Sequence, residues 1–177
     1  MKFLQDSSLS PFADEVEVLN YALTLEHLEA TLYREANATF ADQDYIDAGY
    51  DASVRVKIVD IGDHEATHVA TLTQVIMDLG GEPVAEAMYD FGYTTLLEFL
   101  ATAAAVENLG VAAYTGAAQY LIENDDLLTA ALTIHGNEAR HASYLNLVNL
   151  EIPFPDAFDA PMTPDEVLAV AGPFIVG

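Results

Sequence analysis

The stretch FLATAAAVENLGVAAYTGAAQYLI, residues 99–122, decides how this chain is read. It has no Pro and is rich in Ala and Leu, so it is predicted to be helical. Its one charged residue is Glu107, in a chain that carries 29 Asp and Glu. A helix that is apolar all round is buried. Its single carboxylate is then inside as well, where an unpaired charge costs roughly several kcal/mol unless it is neutralised or bound to a metal. The remaining sequence has to supply what Glu107 faces.

The other helices do so. Working outward, Thr95-Leu96-Leu97-Glu98 is a capping box that starts the 99–122 helix, and the helix is expected to end near Asn124. A cap at Asp125 or Asp126 starts the next helix, about 127–150, whose apolar stripe includes Ile134, Glu138, His141, Ala142 and Leu145. Upstream, Ser10-Pro11 opens a helix over about 12–38, with Leu19, Leu23, Glu26 and Tyr33 on one stripe. Residues 40–50 are polar and Asp-rich and read as a loop. A second helix spans about 52–79, with Ile58, Ile61, Glu65, His68 and Leu72 on its stripe, and Gly80-Gly81 ends it. Thr163-Pro164-Asp165-Glu166 is a further capping box, so a short helix runs over about 164–171, and the apolar tail GPFIVG packs back. Residues 1–9 read as a loose leader.

The link between the last two long helices is a few residues, so they are antiparallel. The 80–94 link, at ~3.3 Å per residue, is long enough to travel the whole length of a bundle. The predicted fold is all-α: a ferritin-type four-helix bundle with one long crossover and a short C-terminal fifth helix. Residues 1–177 are expected to form one domain, with the bundle in about 12–150 and the short helix and tail in 151–177.

The two halves repeat. Ala22-Leu-Thr-Leu-Glu26-His-Leu-Glu-Ala-Thr-Leu-Tyr33 aligns with Ala103-Ala-Ala-Val-Glu107-Asn-Leu-Gly-Val-Ala-Ala-Tyr114. Asp60-Ile-Gly-Asp-His-Glu65-Ala-Thr-His68 aligns with Thr133-Ile-His-Gly-Asn-Glu138-Ala-Arg-His141. Two helices therefore bring one Glu each, and two bring a Glu-x-x-His each. This is the established ligand pattern of di-iron and di-manganese carboxylate bundles. Spacing of i, i+3 puts Glu and His on one helical face. Four carboxylates balance two divalent cations, whereas four bare carboxylates in a core would be prohibitive. Oxygen-rich ligation with one imidazole per ion suits Fe or Mn. Any one of these residues alone is unremarkable; six on four stripes in a repeated spacing are not. The candidate metal ligands are Glu26, Glu65, His68, Glu107, Glu138 and His141, holding two Fe or Mn ions per chain.

The chain resembles the ferritin-like superfamily, and most closely the ferritin-like-domain proteins that include the desiccation-related group. The resemblance rests on residues 19–33, Leu79-Gly-Gly-Glu-Pro-Val84, residues 107–114 and the tail from Pro161 to Ile175. It implies that Glu26 and His68 hold one metal, Glu107 and His141 the other, and that Glu65 and Glu138 bridge. It also points to Tyr33 and Tyr114 as tyrosines beside the ligands, which bond the carboxylates or supply an electron; two core tyrosines with satisfied hydroxyls are the alternative. Glu29, one turn from Glu26, is a spare carboxylate, but Gly110 at the matching position argues against a ligand role. His135 and Asn137 are candidates for contact with a ligand, while His27 and His64 are expected at the periphery.

Charge and composition bound the function. A net charge of −24 with five Lys plus Arg argues strongly against nucleic acid and anionic membrane surfaces as partners. Such acidity in a folded chain suggests a high-salt cytoplasm, where cations screen self-repulsion. There is no Cys, hence no disulfide or thiolate site. The start MKFLQDSSLS lacks the apolar core of a signal peptide, and Glu107, Asn108 and Gln119 argue against 99–122 as a membrane span. The expectation is a cytoplasmic dinuclear metal protein reacting with O2 or peroxide, as a ferroxidase, peroxidase or catalase. Iron storage in a cage and a metal-stabilised protective protein without turnover are the alternatives. The bare outer side of the 99–122 helix needs cover from the tail or from a second copy, so a homodimer or small homo-oligomer is expected.

Overall fold

A computed structural model of the chain describes residues 10–176. The expected leader, residues 1–9, and Gly177 lie outside the described residues. Six α-helices are present among them: α1 (Glu15–Thr39), α2 (Asp42–Asp47), α3 (Ala52–Asp78), α4 (Leu96–Ala117), α5 (Asp125–Val148) and α6 (Pro164–Ala171). The fold is the all-α, ferritin-like bundle, with α1, α3, α4 and α5 as its four long rods. α1 packs mainly on α3 and α4 mainly on α5, and α1 also touches α4.

Side-chain caps set where the helices start. Asp14, not Ser10, caps α1 by accepting from Glu17 N at 3.0 Å. Asp51 caps α3, Thr95 and Glu98 form the capping box of α4, and Thr163 and Glu166 that of α6. Asn124 caps α5, which leaves Asp125 and Asp126 in the first turn, where the positive end of the helix dipole favours them. Two further expectations are corrected. The 40–50 loop contains α2: Ala41 N donates to Asp44 Oδ2 at 2.7 Å, and Tyr45 is buried in the core, which anchors the short helix. The helix predicted to end near Asn124 is α-helical only to Ala117 and then tightens into a 3₁₀ turn over Ala118–Leu121, a common way for a helix to end.

The crossover after Gly80 runs the length of α1. Asn20 binds Glu82 O and Val84 N, His27 Nε2 donates to Val84 O, and Arg34 pairs with Glu86. Farther along, Tyr93 packs on Phe40 and Phe99. α4 therefore starts at the end where α1 finishes and runs antiparallel to it. The tail closes on this crossover: Asp90 N donates to Phe174 O, Val176 N to Met88 O, and Phe174 packs on Phe91.

The outer side of α4 is covered by the same chain. α6 lies on it, with Val167 and Ala171 buried, and Met162 N donates to Ala112 O. The approach is so close that a Cβ on Gly116 would stand 1.9 Å from Met162 O. The need for cover that suggested a second copy is thus met within the chain.

The apolar core falls into two clusters. One gathers Leu28, Leu32, Ile58, Phe99, Leu100 and Leu145; the other gathers Leu19, Leu23, Leu72, Ile76, Leu121 and Ile134. On α3 and α5 the switch from one cluster to the other falls at Glu65 and His68 and at Glu138 and His141, and on α1 it falls between Leu23 and Leu25, next to Glu26. A polar layer therefore crosses the middle of the bundle.

Candidate metal centre

That layer is buried. Glu26, Glu65, Glu107 and Glu138 have 0 % exposure and His141 has 5 %; the His68 side chain is 12 % exposed. One helical turn separates Glu65 from His68 on α3 and Glu138 from His141 on α5, so each pair projects from one face. The structure brings all six predicted ligands together in two overlapping sets: Glu26, Glu65, His68 and Glu138, and Glu65, Glu107, Glu138 and His141. Within each set, one ligand atom per residue lies within 4.8 Å of every other. Glu65 and Glu138 are common to both. His68 Nδ1 is 3.1 Å from Glu26 Oε2, 3.0 Å from Glu65 Oε2 and 3.1 Å from Glu138 Oε1. His141 Nδ1 is 2.9 Å from Glu65 Oε1 and 3.4 Å from Glu107 Oε2.

His68 Nδ1 is hydrogen-bonded to Glu26 Oε2 and Glu65 Oε2, but the other converging atoms do not satisfy one another. Glu65 Oε1, Glu107 Oε2, both oxygens of Glu138 and His141 Nδ1 are buried and have no hydrogen-bond partner. Buried polar atoms are nearly always paired, and five orphans facing a common centre need a cation or protons between them. The donor set, carboxylate oxygens with one imidazole on each side, fits Fe or Mn.

The electrostatics carry the same message. Burial pushes the Glu26 carboxyl up to about 8, against the pull of His68. Burial raises Glu107, and burial with neighbouring carboxylates holds Glu138 well above the usual range. Burial also acts on Glu65, but the two imidazoles outweigh it and hold it at about 2. Burial disfavours charge on the histidines, yet the surrounding carboxylates push His68 up to about 12 and His141 to about 10. The site holds protons wherever no cation balances its charge.

The two tyrosines reach across the bundle. Tyr114 donates to Glu26 Oε1 at 2.5 Å, and Tyr33 donates to Glu107 Oε1. Each tyrosine shares a helical stripe with the Glu of its own half but bonds the Glu of the other half. This exchange follows from α1 and α4 running antiparallel, so that two turns along one helix meets the start of the same step on its partner. Burial, together with those carboxylates, raises both hydroxyls well above 10, so both stay protonated donors.

A profile of the ferritin-like domain matches residues 14–151. The chain belongs to this family. Protein rds1 of Schizosaccharomyces pombe is 26 % identical over 170 residues, which is 94 % of this chain and 41 % of that protein. The chain therefore spans well under half the length of this curated relative.

Around the ferritin-like site, the remaining candidates sort by contact. Asn137 Nδ2 lies 2.8 Å from His141 Nε2, so it holds the outer nitrogen of that ring. His64, expected at the periphery, lies 3.0 Å from the same nitrogen and stacks on the His141 ring at 5.2 Å between centroids. The signal for it was available: His64 sits one position before Glu65, and Asn137 is its counterpart in the repeat. His135 instead bonds Thr115 and touches no ligand. His27 binds the crossover. A surface depression of about 330 Å³, lined by His64, Thr67, His68, Thr71, Thr133, Ile134 and Asn137, leads from solvent to His68. A larger cavity of about 760 Å³ lies beneath residues 153–160 and is lined by none of the six candidate ligands. Leu96–Leu121 is long and apolar enough to cross a membrane, but most of it is buried inside the bundle.

Proposed function

We propose that this chain is a dinuclear metal carboxylate protein that holds two Fe or Mn ions and carries out redox chemistry on O2 or peroxide. The observation that carries the reading is the pair of ligand sets sharing Glu65 and Glu138. Glu26 and His68 would hold one ion, Glu107 and His141 the other, and the shared carboxylates would bridge. Such a pair supplies two-electron exchange with a dioxygen species. The chain's own residues do the rest. The four carboxylates set the charge, Tyr33 and Tyr114 orient the terminal Glu107 and Glu26, and Asn137 and His64 fix the His141 ring. The apolar clusters on either side keep bulk water out, and the depression at His68 admits a small molecule.

In this reading residues 1–177 act as a single domain. The absence of Cys fits a reducing cytoplasm, and the acidity fits a high-salt one. A homodimer or small oligomer has a candidate face in Leu150, Ile152, Phe154 and Phe158, all strongly exposed.

The test is metal analysis of the purified protein, with anomalous scattering at the iron and manganese edges, followed by turnover assays with peroxide, O2 and Fe(II). Two ions per chain and turnover support the reading. Two ions with no turnover favour a metal-stabilised protective protein, and a particle of 12 or 24 subunits would favour storage. No bound transition metal would sink all three.

A further inference from the structure

Glu29 lies on α1, one turn beyond Glu26, and the site described above makes no use of it. Its side chain is 1 % exposed, and Oε2 has no hydrogen-bond partner. Among the described residues, no Lys, Arg or His forms an ion pair with it. Its position is defined by Gly110 of α4. A Cβ on that glycine would stand 2.7 Å from Glu29 Oε1 and 3.7 Å from Glu138 Oε2. The Glu29 carboxyl group thus fills a socket that exists because position 110 has no side chain, beside Glu138, one of the two carboxylates common to both ligand sets. The repeat aligns Glu29 with Gly110. In the sequence this mismatch speaks against a ligand role. In three dimensions it is what admits a fifth carboxylate to the layer, since the two positions face each other and one side chain takes the space of two.

A buried carboxyl oxygen with no partner is disfavoured, and an apolar residue would fill the same socket without that loss. The use that justifies the group is metal ligation. Each ligand set supplies four atoms, whereas oxygen-ligated ions such as Mn favour six positions. We propose that Glu29 is a seventh ligand of the metal pair, a carboxylate that leaves the Gly110 socket to bind an ion beside Glu138. This inference rests on the dinuclear reading. It gives the centre a fifth negative charge, so the site can balance a total cation charge above four without other anions.

The experiment compares wild-type, Glu29→Gln and Glu29→Asp proteins, each freed of metal and titrated with Mn(II), with free Mn(II) read by electron paramagnetic resonance. The same proteins loaded with Co(II) report coordination number through the intensity of the visible bands. Glu29→Gln removes a ligand at nearly constant shape. Glu29→Asp keeps the charge but shortens the reach by one methylene. Ligation predicts that both variants bind one ion more weakly, on the order of 10–100-fold, and that their Co(II) bands gain intensity as coordination number falls. Wild-type affinity and an unchanged Co(II) spectrum in Glu29→Gln would overturn the role. So would an Asp variant that retains wild-type affinity, because charge alone would then be acting. Fewer than two ions bound by the wild-type protein would overturn the dinuclear reading itself, a result distinct from loss of the Glu29 effect.

Discussion

Glu107→Leu separates the part the carboxylate plays in metal binding from the part it plays in the fold. Glu107 is fully buried on α4, with Oε1 bonded to Tyr33 and Oε2 unpartnered. Leucine has similar volume and removes an acid that burial disfavours, in a layer where four carboxylates face two imidazoles; the gain is set at about 1–4 kcal/mol, the range found when whole buried ion pairs give way to apolar groups, because His141 keeps Glu65 as a partner at 2.9 Å. Against this, the Tyr33 hydroxyl loses its acceptor, at about 1–3 kcal/mol. The two effects nearly cancel, so the metal-free variant should melt within a few degrees of the metal-free wild type. With metal the two proteins must diverge. A ligand at 100 times its Kd stabilises the folded state by about 2.7 kcal/mol. In a chain of this size that is a rise in Tm of roughly 5–11 °C per site. Calorimetric melts with and without Mn(II) should show the full rise in the wild type and half of it or less in Glu107→Leu, with metal content falling from two ions to one or none. Two ions per chain in the variant, with an undiminished rise in Tm, would refute the assignment of Glu107. Glu107→Ala should lose metal in the same way and remain folded in high salt.

Tyr33→Phe and Tyr114→Phe each remove a hydrogen bond to a buried carboxylate oxygen in the opposite half, and each should lower stability in urea by about 1.5–3 kcal/mol; equal losses are expected because the two contacts are related by the repeat. Metal uptake should release protons in weakly buffered solution and tighten as pH rises from 6 to 8, because His68 and His141 hold protons up to about 12 and 10 and must lose them to bind. In the metal-free protein the sign is opposite: a base with a raised pKa contributes stability that is present below about pH 6.5 and lost as pH climbs through 10 and then 12, so urea midpoints should fall across that window. With a net charge of −24, Tm should increase with KCl, and a Tm indifferent to salt would undermine the high-salt reading. Gly116→Ala drives a methyl group into Met162 O, so α6 should detach and proteolysis near Thr163 should accelerate.

How much of this could be read from the chain depends on the range of the interaction. The long helices and the Glu-x-x-His spacings are set by periodicity within one element, and residues such as Glu65 and His68 could be placed from that alone. The short helix α2 was invisible to the same reasoning. Its six residues are mostly Asp and Gln on the outside, and what holds it is one inward tyrosine, Tyr45. Ser10-Pro11 has the residue types of a helix start, but so does Asp14, and the bond from Glu17 N to Asp14 decides between them. His64 lies off the stripe of its own helix, and its partner, the outer nitrogen of His141, belongs to α5, so its one mark in the sequence is its place opposite Asn137 in the repeat. Contacts between helices that are distant in sequence leave no periodic trace.

The crossing of the tyrosines shows how such a contact can still be inferred. A Glu and a Tyr separated by seven residues recur in both halves, and on a single helix the obvious pairing is within each half. Two turns are roughly 10 Å along the axis, however, which is too far for one side chain to reach its own neighbour directly. The repeated spacing becomes a bonding pattern only when the two helices run in opposite directions, so that each tyrosine stands level with the other helix's carboxylate. The long crossover from Gly80 to Thr95 is what imposes that direction. The connector therefore does more than return the chain to the far end of the bundle. By reversing α4 against α1, it lets a duplicated pair of residues brace both ends of one charged layer, with Tyr33 on Glu107 and Tyr114 on Glu26.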